Sequence, residues 1–180
     1  MKYKKFRGII LKKQNYREAD QIVTVWSYEA GKVRILAKAL RMPKSRLNYA
    51  CQDLSEVEID VVGSVLPTLI GIKPLKKFNN LQLDLKKTAT AFYAAELMLK
   101  MTADEHPNPV VYNMLRDFLA MLDSEANFKD HDVLDMFSLD LAKSLGFGAP
   151  VKKNTHKDVR EFIEDILERN IKSEPFLMQL

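Results

Sequence analysis

The chain has 180 residues, of which 47% are hydrophobic and 29% are charged, with a formal net charge of +4. This composition suits a soluble globular protein with one domain or two small ones. Its one cysteine, Cys51, excludes a disulfide framework and a multi-cysteine zinc site, and no stretch approaches the length of a membrane span.

The charge is divided unevenly along the chain. Residues 1–80 contain 16 Lys+Arg and 7 Asp+Glu, whereas residues 81–180 contain 12 and 17, so the two parts carry +9 and −5. A basic N-terminal part indicates an anionic partner, and nucleic acid is the commonest large polyanion. Basic surfaces that bind nothing are also common, so composition alone leaves both interpretations open.

The first 80 residues have the alternating pattern of β-strands. We predict five strands, over residues 6–11, 21–28, 32–38, 54–62 and 66–74. The short turn at residues 29–31 predicts a hairpin between the second and third strands. Five short strands in this length favour a small barrel, and the OB-fold is the five-stranded barrel that binds oligonucleotides.

One segment within this region, residues 31–47, contains six basic residues and no acid. They are Lys32, Arg34, Lys38, Arg41, Lys44 and Arg46. Lys32, Arg34 and Lys38 fall on one side of the predicted third strand, and the charge continues into a predicted loop. A second basic group, Lys12, Lys13 and Arg17, surrounds Tyr16, whose ring is a candidate for base stacking.

Acidic residues also alternate along a strand. Glu56, Glu58 and Asp60 lie on one face of the predicted fourth strand, where pairing with basic residues of neighbouring strands is a simpler explanation than metal binding. Trp26 is predicted to be a core residue, and Cys51 to be a small buried hydrophobe.

From residue 81 the hydrophobic period changes from 2 to 3.6, which predicts an all-α helical bundle. Asp84, Asn108 with Pro109, and Thr155 with Asp158 are predicted to begin three of its helices. Gly146 is predicted to end another helix. We therefore predict an α+β chain, with a barrel domain at residues 1–80 and a helical domain at residues 81–180.

No residue pattern indicates catalysis. His106, His131 and His156 form no metal-binding spacing, and the glycines form no phosphate-binding loop. We expect no catalytic residue, no metal and no cofactor.

The order of these motifs resembles the bacterial recombination mediator RecO family. The segment "GIILKKQNYREADQIVTVWSYEAGKVRILAKALRMPKSRL" is similar to the family's N-terminal domain. The positions that carry the resemblance are Tyr16, Glu18, Ala19, Asp20, Gly31, Lys32, Ala37, Lys38, Ala39, Arg41, Ser45 and Arg46. Residues 91–115, 137–147 and 171–180 resemble the family's helical domain, so the resemblance covers nearly the whole chain.

The resemblance implies an OB-fold that binds single- and double-stranded DNA, followed by a helical domain. It implies a nucleoid-associated protein that is not an enzyme. A cytoplasmic location is expected independently, from the single cysteine and the absence of a membrane-span-length stretch. Its implied activity is to anneal complementary strands and to help load recombinase onto DNA covered by single-strand DNA-binding protein (SSB). The alternative is an OB-fold adaptor that binds RNA or a protein and has no DNA repair role.

The chain departs from the family at one place. Many RecO proteins carry a cysteine-rich zinc-binding insertion after the Leu-Gly-(Phe/Tyr) segment, whereas residues 145–158, "LGFGAPVKKNTHKD", contain no cysteine. The chain therefore resembles a shortened form, and whether it binds the usual partner RecR is left open. The resemblance also implies a contact with the acidic, apolar C-terminal tail of SSB, for which Lys143, Lys152 and Lys153 are the candidates.

We predict that the protein folds without metal and binds no stoichiometric zinc, because one cysteine and three scattered histidines cannot supply four ligands. Elemental analysis of the purified protein should find well under one zinc per chain, and a chelator should leave the melting temperature unchanged. About one zinc per chain, with unfolding by the chelator, would contradict this prediction.

Overall fold

The computed structural model describes residues 2–43, 45–124, 130–148 and 155–167. The chain forms two compact units. The first comprises Met1–Lys77 and Ala103–Tyr112, and the second comprises Phe78–Thr102 and Asn113–Leu180. Residues Ala103–Tyr112 thus group with the N-terminal residues, although they follow the predicted boundary at residue 80. The division into domains 1–80 and 81–180 stays a prediction.

The first unit is a closed five-stranded barrel with the strand order β1-β2-β3-β5-β4. Its strands are β1 (Tyr3–Tyr16), β2 (Asp20–Ser27), β3 (Gly31–Ala37), β4 (Glu56–Val62) and β5 (Thr68–Lys76). All five predicted strands are present, and β2 and β3 form the predicted antiparallel hairpin. The α+β class with an N-terminal OB-fold is therefore confirmed.

The barrel encloses an apolar core built from alternate residues of every strand. Its members include Phe6, Ile10, Val25, Ile35, Val57, Ile59 and Leu69. Cys51 is fully buried in the same cluster, as predicted. Trp26 is also buried, but it is not a member of this cluster.

The basic segment differs from its predicted form at two points. β3 ends at Ala37, so Lys38, which was predicted on the strand face, lies in the turn that follows. A short helix, α1 (Arg46–Ala50), follows β3, whereas the sequence predicted a loop as far as residue 47. Ser45 precedes α1, but its side chain makes no capping hydrogen bond.

The second unit is helical, and three of its helices begin where the sequence predicts. After a short 3-10 helix (Asn80–Leu83) come α2 (Leu85–Met101), α3 (Pro109–Ser124), α4 (Asp130–Ser144) and α5 (His156–Leu167). α3 begins in the first unit, at Pro109, and continues in the second. α4 packs against α2 and α5.

Side-chain caps explain the helix starts. The Asp84 carboxylate accepts hydrogen bonds from the backbone N–H groups of Lys86 and Lys87. Asn108 accepts one from Val111 N at 3.2 Å. Thr155 and Asp158 form a reciprocal capping box at 3.2 and 3.0 Å. These contacts satisfy N–H groups that the helices leave unpaired.

The Ala103–Tyr112 segment is fixed to the barrel by backbone and side-chain contacts. Glu105 N donates to Lys32 O at 3.0 Å, and the Asp104 carboxylate lies 3.2 Å from Lys32 Nζ. The buried Tyr112 hydroxyl donates to Glu56 at 2.9 Å. Gly31 allows the close approach, since its φ is +72° and a Cβ there would lie 2.4 Å from the His106 backbone.

β1 closes the barrel because it pairs along both edges. Residues from Gly8 onward pair with β2, while Tyr3 to Ile9 pair with β4, so Gly8 and Ile9 have a partner on each side. A Cβ at Gly8 would lie 2.2 Å from Val25 Cγ1 and 3.1 Å from Trp26 O. Only glycine therefore fits at this crossing without displacing a core side chain or a neighbouring strand.

We predict that Gly8→Ala destabilises the protein by about 1–3 kcal/mol, the usual cost of adding a methyl group to a packed core. Chemical denaturation measures the change in the free energy of unfolding. Val25→Ala removes the atom that the new methyl group meets, so the double variant should be more stable than the sum of the two single changes predicts. A Gly8→Ala protein as stable as the parent would show that the strands shift freely here.

Candidate nucleic-acid interface

The outer face of strands β1, β2 and β3 carries basic side chains at matched positions. Lys12 is paired with Thr24, and Thr24 with Arg34, so the three residues form one row across the sheet. Paired residues project to the same face, and Lys12 and Arg34 are both exposed. In the next row, Ile22 and Leu36 are half-buried. Cations thus lie beside a partly exposed apolar strip.

The β1–β2 turn is bonded directly to the loop that follows β3. The Asp20 carboxylate accepts a hydrogen bond from Ala39 N at 2.8 Å. Arg41 N donates to Ala19 O at 3.0 Å, and Arg41 Nη1 donates to Glu18 O at 3.1 Å. These three bonds join two segments that are distant in sequence into one structure.

The joined turn and loop bring Arg17, Lys38 and Arg41 to the end of the barrel where β1 ends, β2 begins and β3 ends. All three side chains are exposed. Arg17 and Ala39 adopt positive φ values of 54° and 52°, which turn the backbone sharply at both points. We call Arg17, Lys38 and Arg41 the basic end.

Five of the predicted residues therefore form one surface, namely Lys12, Arg17, Arg34, Lys38 and Arg41. Tyr16, which is half-buried, lies beside them with its ring centroid 5.2 Å from Arg17 Cζ. Among the described residues, none forms an ion pair with Lys12, Arg34 or Lys38. These side chains are available to an anionic ligand.

Two other predicted residues are held in contacts within the first unit. Lys13 Nζ donates to Cys51 O at 3.1 Å and lies 3.3 Å from an Asp53 carboxylate oxygen. The Lys32 side chain is only 11% exposed and is paired with Asp104. Both charges are already compensated, so neither is as accessible to phosphate as Lys12 or Lys38.

The remaining candidates lie at or beyond the limits of the described chain. Lys44 is outside the described residues, and Arg46 begins α1. Lys143 is exposed in the last turn of α4. Lys152 and Lys153, the other candidates for the SSB tail, are outside the described residues.

One further contact on this unit has no signal in the sequence. The Tyr49 ring on α1 is 74% exposed, and Lys77 Nζ lies 3.5 Å from its centroid. Lys77 also donates to Tyr49 O at 3.3 Å. Because the two residues are distant in sequence, only the folded chain shows that they form a cation–π pair.

Glu58 and Asp60 of β4 pair with a basic residue of a neighbouring strand, as predicted, whereas Glu56 does not. Lys5 Nζ lies 3.1 Å from Glu58 and 3.8 Å from Asp60. Glu56 is buried and accepts the Tyr112 hydrogen bond. This strand therefore presents acids that already have partners.

The Cys51 thiol is buried, and the His156 ring is paired with a carboxylate. Burial raises the pKa of the Cys51 thiol to about 11, so it is protonated at neutral pH and is a poor nucleophile. His156 Nδ1 lies 2.5 Å from an Asp135 carboxylate oxygen and links α5 to α4. Within the described chain, no three His, Cys, Asp or Glu residues are grouped to hold a metal ion.

No helix in the described ranges combines the length and the apolar character that crossing a membrane requires.

Comparison with known proteins gives two family matches. Residues 1–78 match the family model described as "Recombination protein O N terminal", and residues 82–170 match "Recombination protein O C terminal". Together the two matches cover almost the whole chain, and they meet near the change from strands to helices.

Curated relatives agree with the family models. The DNA repair protein RecO of Listeria monocytogenes serotype 4b (strain CLIP80459) is 30% identical over 143 residues, which are 79% of this chain and 55% of that protein. The DNA repair protein RecO of Dehalococcoides mccartyi (strain CBDB1) is 28% identical over 162 residues, 88% of this chain and 63% of that protein.

The chain spans about half the length of the curated relatives that it matches. The matches include both the strands of the barrel and the helices that follow. On these matches, the chain belongs to the recombination protein O (RecO) family.

Proposed function

We propose that this chain is a DNA-binding protein of recombinational DNA repair that acts by binding rather than by catalysis. The observation that carries the proposal is the basic end, formed where Glu18, Ala19 and Asp20 bond to the loop after β3. It lies beside the row of Lys12 and Arg34 on the outer face of an OB-fold.

The surface suits the sugar–phosphate backbone of DNA. Lysine and arginine side chains neutralise phosphates and release the counterions that DNA condenses, which supplies affinity without reading sequence. The half-buried Ile22 and Leu36, with Tyr16 near the turn, offer apolar area for unpaired bases. We therefore expect binding to single and double strands with little dependence on sequence.

The same surface supports strand annealing. Two complementary strands repel each other, and a protein that neutralises phosphates on both reduces the free energy needed to bring them together. No bond is made or broken in this process. The proposed activity needs cations and a place for bases, and it needs no nucleophile or metal.

The helical unit would supply contacts with proteins. We propose that the acidic, apolar tail of SSB binds there, with Lys143 and also Lys152 and Lys153 pairing with its carboxylates. Such a contact would bring the basic end to SSB-covered DNA at the nucleoid and help recombinase to load. Whether RecR also binds is a separate question, because this chain has no cysteine-rich insertion.

We predict that replacing Lys12 and Lys38 with alanine weakens binding to every single-stranded DNA sequence alike. The log–log salt dependence of binding should become less steep by about 1.4, because each phosphate that a cation neutralises on a single strand adds ~0.7 to it. Fluorescence anisotropy at several salt concentrations measures both quantities. The melting temperature should not change, because both side chains are exposed.

The matched control replaces Lys2 and Lys73, which are exposed residues of the same unit, with alanine. It removes the same charge and should leave the affinity and the salt dependence nearly unchanged. Equal reductions in affinity in the two variants would mean that only net charge matters, and the proposed interface would be wrong. Tighter binding to RNA than to either form of DNA would favour the adaptor alternative.

We also predict that the parent protein accelerates annealing of complementary strands, including strands covered by SSB, and that the Lys12/Lys38 variant does so much more slowly. The physical reason is that the variant neutralises fewer phosphates on each strand. Quenching between dyes on the two strands gives the rate. A protein that binds DNA tightly but leaves the annealing rate unchanged would disprove this part of the proposal.

A further inference from the structure

The barrel has an open cleft between β3 and the β4–β5 loop. β3 and β5 are paired only at Leu36 and Thr68, so the sheet is not joined along the first part of β3. A cleft of about 420 Å³ lies there, entirely within the first unit, which is the size of a small-ligand pocket. Segment Ala103–Tyr112 supplies part of its rim.

The cleft has both apolar and charged lining residues. Val33 is half-buried and Val65 is exposed, whereas Phe6 and Val61 belong to the barrel core and are only 5% and 1% exposed. Lys4 and Arg34 also line it and are exposed. Accessible apolar side chains with polar groups around them suit a flat molecule that is apolar on its faces and polar at its edges.

The backbone of β3 adds hydrogen-bonding groups to this cleft. Lys32 O accepts from Glu105 N, and Leu36 N donates to Pro67 O at 2.8 Å, so both groups point away from β2. Arg34 lies midway between them, and backbone groups two residues apart in a strand point to the same side. The Arg34 N–H and C=O therefore face the cleft as a neighbouring donor and acceptor, at a position that β5 does not pair with.

We infer that this cleft receives one unpaired nucleobase of a bound DNA strand, an inference that rests on the proposed function. The faces of a base would contact Val33 and Val65, while its edge would bond to the Arg34 backbone. The strand's phosphates would lie near the Lys4 and Arg34 side chains. Arg34 also belongs to the row with Lys12, so the cleft is continuous with the candidate interface.

The position of the cleft favours a base as its occupant, because Arg34 belongs both to the cleft and to the candidate interface. Asp104 and Glu105 also line the cleft, and Asp104 is paired with Lys32. The same carboxylates can accept hydrogen bonds from the amino groups of cytosine, adenine or guanine. A base inside a duplex is not accessible to the cleft, so the site acts on single strands only.

The test compares oligo(dC) with an abasic strand that has the same number of phosphates. The protein should bind oligo(dC) more tightly, and Val65→Glu should lower the ratio of the two affinities by about tenfold, or about 1.4 kcal/mol. Val65 lines the cleft and is 96% exposed, so the substitution should not affect folding. Taking the ratio for each variant cancels the phosphate contribution.

Ile70→Glu is the matched control, because Ile70 is an exposed residue of β5 that does not line the cleft. It should keep the parent ratio. As a second measurement, oligo(dC) with 5-iodocytosine should cross-link on irradiation to residues 29–34, 64–67 or 104–107, as located by mass spectrometry.

The outcomes separate this inference from the proposed function. If the protein binds DNA but oligo(dC) and the abasic strand bind equally, or if all cross-links lie outside these segments, the inference is overturned and the proposed function stands. Equal ratios in Val65→Glu and Ile70→Glu would overturn it too. If no DNA binds at low salt, the proposed function fails and this inference fails with it.

Discussion

The fold of the first unit depends on one crossing point, where β1 passes from its pairing with β4 to its pairing with β2. Gly8 makes this possible because the space beside its Cα is filled by Val25 and the backbone of Trp26. Because β1, the first strand in the order, also pairs with β4, the last, the sheet closes on itself, and the end of β1 meets the start of β2 and the end of β3. The candidate interface exists because these three strand ends meet.

The basic end is built mainly by backbone groups. The carbonyl groups of Glu18 and Ala19 and the carboxylate of Asp20 hold the loop after β3, whereas the side chains of Arg17 and Lys38 remain exposed. Hydrogen bonds between two short segments fix the spacing of the cations while leaving most of their charged groups exposed. The acidic residues of this turn therefore support a basic surface, which net charge alone would not suggest.

Sequence patterns predict the features that depend on contacts between residues close together in the chain. The hairpin follows from a short turn between alternating strands, and the caps at Asp84, Asn108 and Thr155 act within one helical turn. The full length of β1 has no such local signal, because the ends of this strand are polar and are recruited by partners distant in sequence. The cleft could not be predicted for the same reason, since its walls come from separate segments that meet only in the folded barrel.

Which basic residues can bind a polyanion depends on which of them already have an acidic partner in the fold. A run of lysines and arginines looks uniform in sequence, but Lys32 is paired with Asp104, Lys13 with Asp53, and Lys5 with Glu58. If one of these cations bound a phosphate, an existing ion pair would be lost. Its net contribution to DNA affinity would therefore be smaller than that of an exposed cation that has no ion pair. Lys12 and Lys38 give up no such pair. The interface is therefore set less by the +9 charge of the first 80 residues than by which of those charges the fold leaves uncompensated.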